Sequence, residues 1–139
     1  MIRHWRVLAL LLVLGIMALG GRYAWTRHTA EEREASYEAT LRSYAEALRP
    51  GRTRKEVEGY LEAKGSPFNR TCCVGRGSNT YDVITPIGSE PHPWYCNKHH
   101  VYIRFVFVAT DTDPTATRQA NDSDILTNVS IFHRLEECL

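Results

Sequence analysis

The sequence predicts an α+β fold: an N-terminal transmembrane helix, then a two-layer domain with a helical hairpin packed on a three-stranded antiparallel meander. Three observations carry this. An uncharged run from Val7 to Gly21 lies between Arg6 and Arg22. Two Thr-x-x-Glu spellings, Thr29 to Glu32 and Thr53 to Glu56, each open a stretch with apolar residues at helical spacing. From Val101 to Ala109, β-branched and aromatic residues run on without Gly or Pro, broken only by Arg104, which is the pattern of a central strand. The chain of 139 residues then divides into residues 1–28, a membrane anchor or signal peptide, and residues 29–139, one domain.

The first element is the N-terminal helix. Trp5 to Trp25 spans 21 residues, close to the ~20 that a helix needs to cross a bilayer, and aromatics at both ends suit the two interfaces. The membrane is therefore an expected partner through residues 5–25. A cleaved signal competes with a retained anchor, because Ala18-Leu19-Gly20 offers small residues at cleavage positions. Arginines flank both sides of the run, so they do not choose a topology; the cysteines do. Four cysteines in the remaining chain imply an oxidising compartment. The expectation is a single-pass protein with a cytoplasmic N-terminus and an extracytoplasmic C-terminal domain, or, after cleavage, a secreted or periplasmic one. Without residues 1–29 the chain has 13 basic and 16 acidic side chains, which excludes the concentrated basic face of a nucleic-acid binder.

From Thr29 onward, Tyr37, Leu41, Tyr44, Ala45 and Leu48 mark one helical face, ended by Pro50-Gly51. A second, shorter helix follows Thr53, with Val57, Tyr60 and Leu61 on its apolar side and Gly65 and Pro67 as its stop. Phe68 to Thr80 reads as a loop, rich in Gly and Asn. Tyr81 to Ile87 is a short strand that Pro86 makes an edge or ends early. A second loop, Gly88 to His100, leads to the central strand. After a polar turn, Ile125 to Phe132 forms the third strand, with Ile125, Thr127, Val129 and Ile131 on one face, and the tail delivers Cys138 back to the domain.

Pro50-Gly51-Arg52-Thr53-Arg54-Lys55-Glu56-Val57, continuing to Tyr60-Leu61 and Gly65, resembles the opening of the second helix in the small SmpA/OmlA domains of the bacterial envelope. The order of two helices and three strands is similar to theirs and to the repeat of β-lactamase inhibitor proteins. The resemblance covers that stretch and the element order. This chain departs from the family in lacking a lipid-attachment cysteine and in having four others. The resemblance implies a non-enzymatic envelope module that binds a protein partner, and it names no binding residues.

The chemistry available is modest. Cys72 and Cys73 are adjacent, so the expected bridges run from this pair to Cys96 and Cys138, in either pairing. The alternative is a metal-binding or thiol-redox domain in which Cys72, Cys73, Cys96 and His99 supply the ligands. Asp111, Asp113, Asp122 and Asp124 offer hard oxygens but lack the ligand order of a calcium loop and read as a solvated turn. Trp94 and Tyr95, in a Pro-stiffened loop, are the best candidates for a partner-binding surface, against a reading in which they cap the core. No nucleophile elbow, phosphate loop, dinucleotide fingerprint or His-Glu-x-x-His is present, so neither an enzyme nor a cofactor is expected. Together these give a membrane-anchored, disulfide-stapled extracytoplasmic interaction or assembly module.

Overall fold

The computed structural model describes residues 2–72, 80–110 and 119–139, with side chains from Leu11 onward. These fall into two units, Met1–Ser36 and Tyr37–Leu139. Helix α1 runs from Ile2 to Ala47, without the start expected at Thr29. No Gly or Pro stands between Tyr23 and Leu48, so a break there would leave two sets of helix-end groups unpaired for no gain. The Thr29 hydroxyl instead donates to the Thr26 carbonyl (3.0 Å), and Arg27–Glu31 (3.0 Å) and His28–Glu32 (3.4 Å) pair one turn apart.

Among the described residues no helix is long and apolar enough to cross a membrane. The uncharged run extends from Val7 to Gly21 and ends at Arg22. At 1.5 Å per residue this is about 22 Å of helix, against a hydrocarbon thickness of about 30 Å. The finding overturns the transmembrane helix expected over residues 5–25. With it go the membrane-anchored module, the membrane as partner, and the single-pass topology that placed the N-terminus in the cytoplasm and the domain in an extracytoplasmic or periplasmic space.

In the second unit, α1 ends near Leu48, and Gly51, at φ 97°, turns the chain. The linker does more than connect. Gly51 N–H donates to the Leu126 carbonyl and Leu126 N–H to the Arg52 carbonyl (both 2.8 Å), so the linker bridges to the start of the last strand before α2 (Arg54–Ala63) begins. The second capping box forms: Thr53 N–H donates to Glu56 Oε2 (2.8 Å), and Glu56 N–H to the Thr53 hydroxyl (3.3 Å). That backbone bond, with Arg52 beside it, holds the Glu56 carboxyl at about 2.

The sheet has four antiparallel strands, not three, in the order β1 (Asn69–Cys72), β2 (Tyr81–Ser89), β3 (Cys96–Val108), β4 (Ile125–Cys138). β1 lies in the stretch read as a loop. Asn-Arg-Thr-Cys has no apolar alternation, and what makes it a strand is the ladder to β2, from Asn69↔Ile84 to Cys72↔Tyr81. β2 is interior despite Pro86, because the β1 ladder reaches only Ile84; Pro86 stands opposite Tyr102, and the register shifts just after it, leaving Ile87 as the extra residue before Gly88 pairs with Val101. β3 lies between β2 and β4.

A second irregularity sits in β4. Val106 pairs with Asn128 and Phe107 with Leu126, which leaves Thr127 as an extra residue. The expected face of Ile125, Thr127, Val129 and Ile131 is therefore split: Leu126 is buried on the core side, and Val129 and Ile131 join it only after the bulge.

Tyr44 of α1, Leu48 just past its end, and Val57 and Leu61 of α2 cover Val83, Ile103, Phe105, Phe107 and Leu126 on one sheet face. Tyr44 meets Phe105 edge to face at 5.7 Å and Tyr60 at 6.4 Å. Further along, the Tyr37 ring lies over Gly88, where a Cβ would come within 2.8 Å of it, and its hydroxyl donates to the Ser89 carbonyl (3.3 Å). This is a small disulfide-containing α+β domain.

Candidate functional site

The two ends of the sheet differ in how they treat polar groups. At the end where β2 and β4 begin, Arg54 is fully buried on the first turn of α2. Its guanidinium donates to Asp124 Oδ2 from Nε (3.1 Å) and Nη2 (2.9 Å), to the Asn121 carbonyl (3.1 Å) and to the Tyr81 carbonyl, and stacks over Phe107 at 4.2 Å. The Thr80 hydroxyl and the Asn121 N–H also donate to Asp124 Oδ2 (2.9 and 3.0 Å). Glu58, 3.9 Å from Arg54 Nη1, is clasped by Arg70 through two bonds (2.8 and 2.6 Å). On the other sheet face, buried Asp82 takes two bonds from Arg104 (2.8 and 2.6 Å). Among the described residues Arg54 Nη1 and Asp124 Oδ1 are left without a hydrogen-bond partner, but the Arg54, Asp82 and Asp124 side chains are shut away from solvent, so these pairs serve the fold. Asp124 is thereby removed from the acidic cluster weighed for calcium, and Asp111 and Asp113 lie outside the described residues.

The opposite end carries the disulfide. Cys96 bonds Cys138, its direct cross-strand partner, with Cα atoms 4.0 Å apart. This corrects the expected pairings, which joined each of them to Cys72 or Cys73. The reason is the length of β4, which extends from the expected Phe132 to Cys138 and so sets the last cysteine opposite the first residue of β3. Cys72 is also disulfide-bonded, and Cys73 lies outside the described residues. Among the described residues no cysteine is free, so the metal-thiolate and thiol-redox readings of Cys72 and Cys96 lose their nucleophilic sulfur. Beside the bridge, Glu137, at φ 54°, accepts from Lys98 and from Asn97 (3.3 Å). The Lys98 bond pulls the Glu137 carboxyl below its ordinary range, and in return raises the Lys98 ammonium.

His99 finds different company from that expected. Glu90 lies opposite it across the β2–β3 ladder, its N–H donating to the His99 carbonyl (2.9 Å). His133, on β4, pairs with Val101 of β3 and so sits diagonal to His99 on the core-side face, just past Tyr37 and Gly88. Glu90 Oε2 is 3.7 Å from the Nδ1 of each histidine, and the rings are 5.5 Å apart. The side chains are 18% (His99), 24% (Glu90) and 42% (His133) exposed. Neither Glu90 nor His133 stood out in the sequence: Glu90 sits in an apparent loop, and the bulge conceals which face His133 takes.

Between Glu90 and Cys96 the chain forms a short loop held at both ends. Cys96 N–H donates to the Pro93 carbonyl (3.0 Å), and Leu139 N–H to the Tyr95 carbonyl (2.9 Å). On it Trp94 is 88% exposed, edge to face with Tyr95 at 5.9 Å. Trp94 therefore does not cap the core. In comparisons with known proteins, no family model, curated protein or solved structure matches this chain.

Proposed function

We propose that this domain is a non-enzymatic binding module whose contact surface is the β2–β3 loop carrying Trp94 and Tyr95. The observation that carries the reading is the exposure of Trp94 on a loop whose backbone is fixed on both sides. A rigid, exposed indole presents a large apolar area without loop ordering to offset its burial, the profile of an interface anchor. The resemblance of the Pro50–Gly65 stretch to SmpA/OmlA domains supports the same mode of action, a protein partner rather than a substrate.

The test is site-specific photo-crosslinking in the native host, with the probe at His92 on this loop and, as control, at Val108 at the far end of β3. The expected result is a discrete adduct from position 92 that disappears in the Trp94→Ala background and does not form from position 108. Equal adducts from both positions, or an adduct from position 92 indifferent to Trp94, would overturn the proposal.

A further inference from the structure

We infer that Glu90, His99 and His133 form a binding site for one divalent metal ion of borderline softness, Zn²⁺ fitting best. This site is separate from the Trp94 contact surface and does not depend on it. Two imidazole nitrogens and one carboxylate oxygen are the donor set that zinc takes when it keeps a fourth position open to water. The three ligand atoms lie within 4.8 Å of one another. A centre between atoms so spaced is within about 2.8 Å of all three, and shortening to the about 2.1 Å of a zinc bond needs side-chain movement of under about 1 Å.

The surroundings support a cation. Among the described residues no Lys or Arg pairs with Glu90; its ion-pair neighbours are the two imidazoles. Arg134, next to His133, falls on the opposite face by strand alternation and pairs with Glu136 (3.3 Å). His100 likewise alternates away from His99. His99 Nδ1 also lies 3.4 Å from the Pro91 carbonyl, a long contact that a ligating, deprotonated Nδ1 gives up. The framework is already rigid: Cys96 and Cys138 bond β3 to β4 a few residues from His99 and His133, and the Glu90 backbone is bonded to β3. Such preorganisation spares the ion the ordering of three separate segments.

The experiment is calorimetric titration of the full, disulfide-intact chain with zinc chloride, alongside Co²⁺, whose visible spectrum reports coordination geometry. The expected result is one equivalent of Zn²⁺ bound and a Co²⁺ spectrum of low coordination number. His99→Ala, His133→Ala and Glu90→Gln should each weaken binding by at least about tenfold, since losing even an outer-sphere partner costs that much. His92→Ala and His100→Ala should leave it unchanged. His133 is the most exposed of the three, so His133→Ala keeps the fold, verified by an unchanged melting temperature without metal. Zinc should raise that temperature in the wild type and not in His133→Ala. Absence of saturable binding in the wild type, or binding that survives His133→Ala, would overturn the assignment.

Discussion

The sheet's two ends differ in the company their polar side chains keep. Around Arg54, buried charges are met by neighbours: the guanidinium and the Thr80 hydroxyl donate to Asp124, and Glu58 is held by Arg70 from the exposed side. Around the disulfide, a carboxylate and two imidazoles stand partly exposed at distances longer than hydrogen bonds, and a tryptophan stands in solvent. The Arg54 network is sealed from solvent, although Arg54 Nη1 and Asp124 Oδ1 lack a hydrogen-bond partner within it, whereas the groups at the other end are held close, not joined, and reached by water. The comparison teaches that burial and complexity mark the region that specifies the fold, and that the simpler, wetter end is where recognition has room.

Three substitutions press on this contrast. Arg54→Ala removes one partner of a buried pair and strands Asp124; the expected loss is about 3–5 kcal/mol, measured by urea denaturation. A loss below about 1 kcal/mol would mean that the Arg54 end is no firmer than the other. Replacing Cys96 and Cys138 together with Ser opens a crosslink of sequence separation 42 and should cost about 2–4 kcal/mol by the same measurement. Substitution, not reduction, is needed because Cys72 is bridged too. Trp94→Ala deletes the largest side chain of the loop, yet at 88% exposure it should change stability by no more than about 0.5 kcal/mol. A larger loss would show that the indole packs on the domain and is not free for a partner.

What the sequence disclosed follows the range of the forces involved. Helix stripes, the Thr53 capping box and the β3 run are written in neighbouring residues, and Tyr44, Leu48, Val57 and Leu61, which mark the apolar helix faces, lie in the core. The capping spelling at Thr29 misled because a cap acts only where the helix stops, and nothing stops α1 there. β1 was invisible because its residues carry no pattern of their own and depend on β2 for their pairing. Arg54 is the sharpest case. An arginine on the first turn of a helix reads as solvated, and only the loop before β4, some 70 residues later, brings the Asp124 that buries it. The Glu90, His99 and His133 grouping has the same origin: β3 and β4 contribute one histidine each and the residue just past β2 the carboxylate, and no local spacing records it.

Thr127 has a consequence of its own. β4 is written in two reading frames, with even-numbered residues facing the helices as far as Leu126 and odd-numbered ones from Val129 onward. Deleting Thr127 would join the frames and leave every other side chain facing as it does now. Deleting one residue between Val129 and His133 would instead carry His133 away from His99 and turn Arg134 toward the core-side face. A change in length is thus neutral in orientation at one position of this strand and, a few residues on, equivalent to replacing its whole inward-facing set.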